Sequence, residues 1–194
     1  MKNTHSQRAF TLIEASITLF IMGILIAMAL PMLKSFIYRA DDELMQSQLL
    51  RAIELARLEA RAHGVSTVIC RSDDHLHCSS KAKKSLIVFL NENEDGLVHV
   101  KEQMLAVIQT TSNRGNLYWR MFPGYRDYLL FSATEIVRTD NGTFWYCHAA
   151  TTDPAWAVIL NKSGRTRVVY PDKNGEIKDS EGYSLRCSLG TWSE

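Results

Sequence analysis

Net charge is what this chain most nearly lacks: 22 Lys and Arg against 21 Asp and Glu leave +1 over 194 residues. Whole-chain attraction to nucleic acid or an anionic surface is thereby excluded, and any such binding must come from a local patch. The signatures GxGxxG, GxxxxGK[ST] and GxSxG are absent, which argues against nucleotide-binding and hydrolase readings. No Ser, His and Asp set and no carboxylate pair is brought together by periodicity. The chain is therefore expected not to be an enzyme and to need no cofactor. Between the candidate strands there is no helical crossover of adequate length, which excludes a parallel sheet of Rossmann type.

Cysteine is scarce, with four residues at Cys70, Cys78, Cys147 and Cys187. Neither a CxxC nor a spaced His pair completes a tetrahedral zinc set around His75, His77 and Cys78, so no metal is expected. All four cysteines follow a membrane-type segment, where an exported domain meets oxidising conditions, and two disulfides are the natural reading. Three connectivities are open. Cys70 and Cys78 are close enough to close a local loop, which leaves Cys147 to tie Cys187 back near the C-terminus.

What the chain has in quantity is one uncharged run. In FTLIEASITLFIMGILIAMALPMLKSF, residues 10–36, Glu14 is the lone acid and the next charge is Lys34. The uncharged positions 15–33 span roughly 28 Å as a helix, close to the hydrocarbon thickness of a bilayer. The short flank MKNTHSQRA is basic through Lys2 and Arg8 and favours the cytoplasmic side, which places the remainder in the periplasm or outside. A cleaved secretory signal needs a small-x-small site after the run, and KSFIYRADDEL offers none. The small residue, Ala9, lies before it. An ionised carboxylate near the start of a membrane helix is costly without a cation or donor. Glu14 is thus expected to have a partner, with a helix-capping or wetted interfacial role as the alternatives.

RA followed by FTLIEASITLFIMGILIAMALP resembles the class III signal and N-terminal helix of type IV pilin-like proteins. The resemblance implies cleavage by prepilin peptidase between Ala9 and Phe10 on the cytoplasmic side, followed by methylation of the Phe10 amine. The family usually carries glycine where this chain has Ala9. It also implies that Glu14 neutralises the Phe10 ammonium of a neighbouring pilin during filament assembly, in apolar surroundings that screen charge weakly. Pro31 falls where such helices commonly bend.

From Phe36 to Gly64 the pattern turns amphipathic. Met45, Leu49, Ala52, Ala56 and Ala60 recur at three- and four-residue intervals, Ile53 and Leu58 widen the stripe, and Gly64 is a C-terminal stop. Beyond it VSTVIC, SLIVFLN, LVHVKEQMLAVIQ, NLYWRMF, YLLFS, GTFWYCH, AWAVILN and TRVVYP, separated by Asn, Asp, Gly and Pro clusters, read as antiparallel strands. The expected fold is α+β: a leader over 1–9, a transmembrane and polymerisation helix over 10–36, and an amphipathic half over 37–63 packed on an antiparallel β-rich globular domain over 64–194. NENEDGLVHVKE has the spacing of a calcium loop through Asn91, Asn93, Asp95, Gly96 and Glu102. Its flanks read as strands, unlike an EF-hand, and an Asn- and Asp-rich turn accounts for the same letters.

The order of pilin helix, VIC, IVFLNENEDG and AVILNKSGRTR resembles the GspH/FimT group of minor pilins and pseudopilins. It implies a minor subunit of a type IV pilus or of a type II secretion pseudopilus, with other pilins and prepilin peptidase as partners. The subunit would sit in the inner membrane with a periplasmic body, then join the extracellular pilus. In NKSGRTRVVY, Lys162, Arg165 and Arg167 gather three positive charges with no acid among them. If extended, Arg165 and Arg167 share a face about 6.8 Å apart, comparable with the step between phosphates, and suit salt-sensitive, sequence-independent contact with DNA. Gly164 lets the backbone turn or approach a ligand closely, and Asn161 and Ser163 add donors. GRTR resembles the GRxR element of FimT-type pilins, implicated in DNA binding during natural transformation. The alternative leaves the arginines as solvated charges or partners of Asp172, Glu176 and Asp179, in a structural pilin or pseudopilin that primes or caps a filament. Trp145, Tyr146 and Trp156 could stack on bases, although their alternation with Val, Ile and Leu favours the core.

Overall fold

The computed structural model describes residues 11–79, 82–92, 103–110, 115–122, 128–133, 140–149, 151–179 and 181–187. One helix, α1 (Leu12–His63), precedes eight strands: β1 (Ser66–Ser72), β2 (Ser85–Asn91), β3 (Met104–Gln109), β4 (Gly115–Phe122), β5 (Tyr128–Phe131), β6 (Asn141–His148), β7 (Trp156–Leu160) and β8 (Thr166–Val169). Thr11 starts the helix, its Oγ1 accepting the Glu14 N–H at 3.3 Å and its carbonyl the Ala15 N–H at 3.2 Å. This is N-cap geometry, and it satisfies donors that the first turn leaves open. Gly64, at φ +66°, ends the helix in the left-handed conformation that a side chain disfavours.

The chain divides into two units after Asp41. In the first, α1 is long and apolar enough over Leu12–Leu30 to cross a membrane, and its side chains there are exposed. In the second, α1 buries Met45, Leu49, Ala52, Ile53, Ala56 and Ala60, a stripe at helical spacing that joins the main core. Leu58 departs from the expected stripe and is 53% exposed. It stands two residues from both Ala56 and Ala60, about 200° round the helix from each, and so faces away.

The strands form two four-stranded sheets rather than a single one, ordered β3-β2-β1-β5 and β4-β6-β7-β8, with every neighbouring pair antiparallel. β2 and β7 are buried along their whole length. Their unbroken apolar runs, LIVFL and AWAVIL, report burial on both faces where alternation would report one. The main core joins the α1 stripe to Ile69, Phe89, Leu129, Phe144, Trp156 and Val158 of both sheets. On the other face of the second sheet, Trp145, Cys147 and Ala157 are covered by Ile177, Leu185 and Cys187 from the C-terminal segment.

The disulfides join Cys70 to Cys78 and Cys147 to Cys187, so no thiol is left for zinc. In the chain-entropy account these loops, closed over 8 and 40 positions, contribute about 2.5 and about 4 kcal/mol. The longer one pins the C-terminal segment across the second sheet, helped by a 3.1 Å bond from Trp145 Nε1 to the Arg186 carbonyl.

Candidate functional site

The basic element occupies the β7–β8 hairpin, and its loop is built by its own side chains. Asn161 N–H donates to the Arg165 carbonyl at 3.1 Å and Gly164 N–H to the Asn161 carbonyl at 2.9 Å. Asn161 Oδ1 accepts from Ser163 N–H at 3.1 Å, Ser163 Oγ at 2.8 Å and Arg165 N–H at 2.9 Å. Asn161 and Ser163, expected as donors to a ligand, thus hold the turn instead, because loop closure brings the amide oxygen within reach of their own backbone.

The same device follows twice more. Asp172 N–H donates to the Glu176 carbonyl at 3.0 Å while Asp172 Oδ1 accepts from Asn174 and Glu176 N–H at 2.8 and 3.0 Å. Asp179 N–H donates to the Tyr183 carbonyl at 3.0 Å, and its Oδ1 accepts from Glu181 and Tyr183 N–H at 2.9 Å each. Gly164, Gly175 and Gly182 close the three turns at φ +75°, +79° and +91°, where glycine carries no Cβ penalty. NKSG, DKNG and DSEG are the signal for this repetition, which a search for charged clusters passes over. The Asn174 and Glu176 amides hold the Asp172 carboxyl below its ordinary range, the Glu176 bond contributing most.

In the hairpin Arg167 stands opposite Ile159, with Val168 opposite Val158 and Val169 opposite Ala157. Val168 packs on the main core and Val169 on the covered outer face. Strand alternation therefore sets Arg167, with Arg165 two residues before it, on the rim of the outer face. Both are exposed. The acids that sequence reasoning offered as their partners are engaged elsewhere: Asp179 with Arg120, and Glu176 with Arg186 at 3.2 Å. Arg186 also binds Asp153 at 2.9 Å, and Asp172 is the acceptor within its own turn. Among the described residues neither Arg165 nor Arg167 forms an ion pair. Lys162 is exposed at the second position of the loop and Gly164 is buried within it.

Trp145, Tyr146 and Trp156 are 3%, 1% and 1% exposed and belong to the core, as their alternation with Val, Ile and Leu favoured, so the alternative of base stacking falls. Tyr146 and Trp156 instead stack on each other at 5.6 Å. Among the described residues no group of three or more His, Cys, Asp or Glu is placed to hold a metal. His77 Nδ1 lies 2.7 Å from Asp74. That contact, then the Leu76 and His77 amides, hold the Asp74 carboxyl well below the usual carboxylate range. Of the calcium-like stretch only Asn91 and Glu92 fall within the described residues, and Ala9 and Phe10 fall outside them. Glu14 is described, exposed in the first turn of α1.

A helix long and apolar enough over Leu12–Leu30 to cross a membrane, an amphipathic stretch packed on antiparallel sheets, and two disulfides fit a type IV pilin-like subunit. The sequence matches the prokaryotic N-terminal methylation motif over residues 4–30. Over residues 46–164, more than half of the chain, it matches the family described as type II transport protein GspH, and the chain belongs to that family. No curated protein and no solved structure matches it. Pilins and GspH proteins are structural subunits, and membership implies association with other pilins, processing by prepilin peptidase, and a membrane-anchored stage before the filament. The GspH match ends at Gly164, immediately before Arg165.

Proposed function

We propose that this chain is a minor type IV pilin of FimT type, cut between Ala9 and Phe10, with its body in the periplasm and then on the pilus. Its β7–β8 hairpin binds DNA without sequence preference, for uptake in natural transformation. Lys162, Arg165 and Arg167 contact phosphates, and Gly164 shapes the turn that presents them. The observation that carries this reading is the state of the two arginines: exposed, free of acidic partners among the described residues, and mounted on a loop fixed by five hydrogen bonds among Asn161, Ser163, Gly164 and Arg165. A preorganised loop loses less entropy when it binds, and a planar guanidinium matches phosphate in two places at once.

The test is a fluorescence anisotropy titration of the full-length chain, in zwitterionic detergent, against duplexes of unrelated sequence. Expected are equal affinities for all sequences, a decline with salt of about 0.9 log units per log unit for each phosphate neutralised, and at least about tenfold weakening in Arg165→Ala, Arg167→Ala. Absence of salt-dependent binding by the unaltered chain would refute the DNA reading. That result would favour a structural pilin or pseudopilin that primes or caps the filament, a reading supported by the GspH match and by its ending before the arginines.

A further inference from the structure

Gly164 is buried although the loop around it is exposed, and what lies on it comes from α1. A Cβ at Gly164 would stand 3.2 Å from Arg57 Nε, 3.6 Å from Cζ and 3.7 Å from Cδ. The strand and the helix meet again at the other end of β8, where the Tyr170 hydroxyl and the Gln46 amide are hydrogen-bonded at 3.3 Å. From 46 to 57 is roughly 16 Å of helix, and from 164 to 170, which takes in β8 and the turn before it, at most about 20 Å. Matching lengths between two contacts set β8 alongside α1 in the opposite direction, with the hairpin tip against Arg57.

Arg57 is therefore a cation at the same tip as Lys162 and Arg165, delivered by a different element. Its side chain keeps 26% of its surface exposed and, among the described residues, is held through Nη1, 3.2 Å from Glu54, itself 57% exposed. An exposed i,i+3 pair is weak, and a guanidinium with one donor engaged has others to offer. A phosphate arriving at the hairpin can take the place of Glu54.

Resting on the reading of the hairpin as a DNA site, we propose that Arg57 is a further phosphate-binding residue. Glu54 is its internal competitor, so that the interface runs from β8 across the tip onto α1. The competitor sets a threshold: a single isolated phosphate gains little from displacing Glu54, whereas a strand already held at Arg165 and Arg167 presents its next phosphate at high local concentration.

The same titration of the full-length chain against duplex DNA over a salt series tests this. Arg57→Met keeps an apolar stem over Gly164 and removes the charge. It should weaken binding about fivefold and lower the salt slope by about 0.9, whereas Arg57→Lys should keep the slope. Glu54→Gln should tighten binding about twofold to fivefold in the unaltered background and leave it unchanged in Arg57→Met, as expected for coupled neighbours. If the unaltered chain binds and Arg57→Met has the same slope and affinity, the role of Arg57 is overturned while the hairpin site stands. If the unaltered chain does not bind, both fall together.

Discussion

Gly164 and Gly175 occupy equivalent places in two of the three turns, at φ +75° and +79°, yet a methyl group would meet different surroundings at each. At Gly175 nothing lies within 4 Å, whereas at Gly164 Arg57 Nε lies 3.2 Å away. Gly175→Ala should cost only the left-handed backbone penalty, about 1 kcal/mol. Gly164→Ala should add the cost of shifting Arg57, for a total of about 1.5–2.5 kcal/mol. A calorimetric scan checks this, since each kcal/mol shifts the midpoint by about 2–4 °C in a chain of this size. Equal shifts for the two variants would mean that Arg57 does not rest on Gly164. At this scale the site was legible where the signal was local. Three cations without an acid, and a glycine that permits a turn, can be read from ten letters. That Asn161 and Ser163 serve the turn is written locally in NKSG, where bonds reach only two to four positions, whereas Arg57 covering Gly164 depends on a contact between residues far apart in the chain, and no periodicity reports that.

The first turn differs from the other two in one group that matters to pH. Asn161 accepts its two backbone N–H groups through an amide, while Asp172 does so through a carboxylate whose pKa is lowered by the Glu176 and Asn174 bonds. A lowered folded pKa means stabilisation that is fully present above the ordinary value of 3.8 and is lost as pH falls through the lowered one. Amide-exchange protection at Asn174 and Glu176 should therefore decline below about pH 4, while that at Ser163 and Arg165 holds. Asp172→Asn should make the second turn behave like the first. Parallel loss in both turns at the same pH would show that their acceptors are irrelevant to it. Among the elements, the eight strand-like runs and both ends of the helix were readable, because alternation, turn residues and caps are encoded within a few positions. The division into two sheets was not. It rests on pairings such as β1 with β5 and β4 with β6, which skip intervening strands, and continuous runs such as LIVFL announce burial without saying which sheet covers them.

For the whole molecule the decisive group is Glu14, and two physical roles compete for it. As an acid in the first turn it interacts favourably with the helix dipole, worth about 0.3–1 kcal/mol at an exposed site. The backbone N–H of Glu14 is already capped by Thr11, so this role leaves its carboxylate free for more. As counter-ion to a neighbouring subunit's terminal ammonium, about 4 Å away at an effective dielectric near 20, it would contribute about 4 kcal/mol per contact before desolvation. Substitution separates the two, because Gln keeps a polar side chain of the same size in the first turn and removes only the charge. If capping and dipole are the whole role, Glu14→Gln should enter filaments nearly as well as the unaltered chain. If charge pairing between subunits dominates, Glu14→Gln and Glu14→Ala should both fall by more than about tenfold in the sheared-filament fraction, since about 1.4 kcal/mol already corresponds to that factor. Their membrane pools and the disulfides of the body should stay normal, because neither change reaches the packed half of α1. Immunoblots of filament and membrane fractions decide the matter, and normal incorporation of Glu14→Gln would remove charge pairing as the basis of assembly.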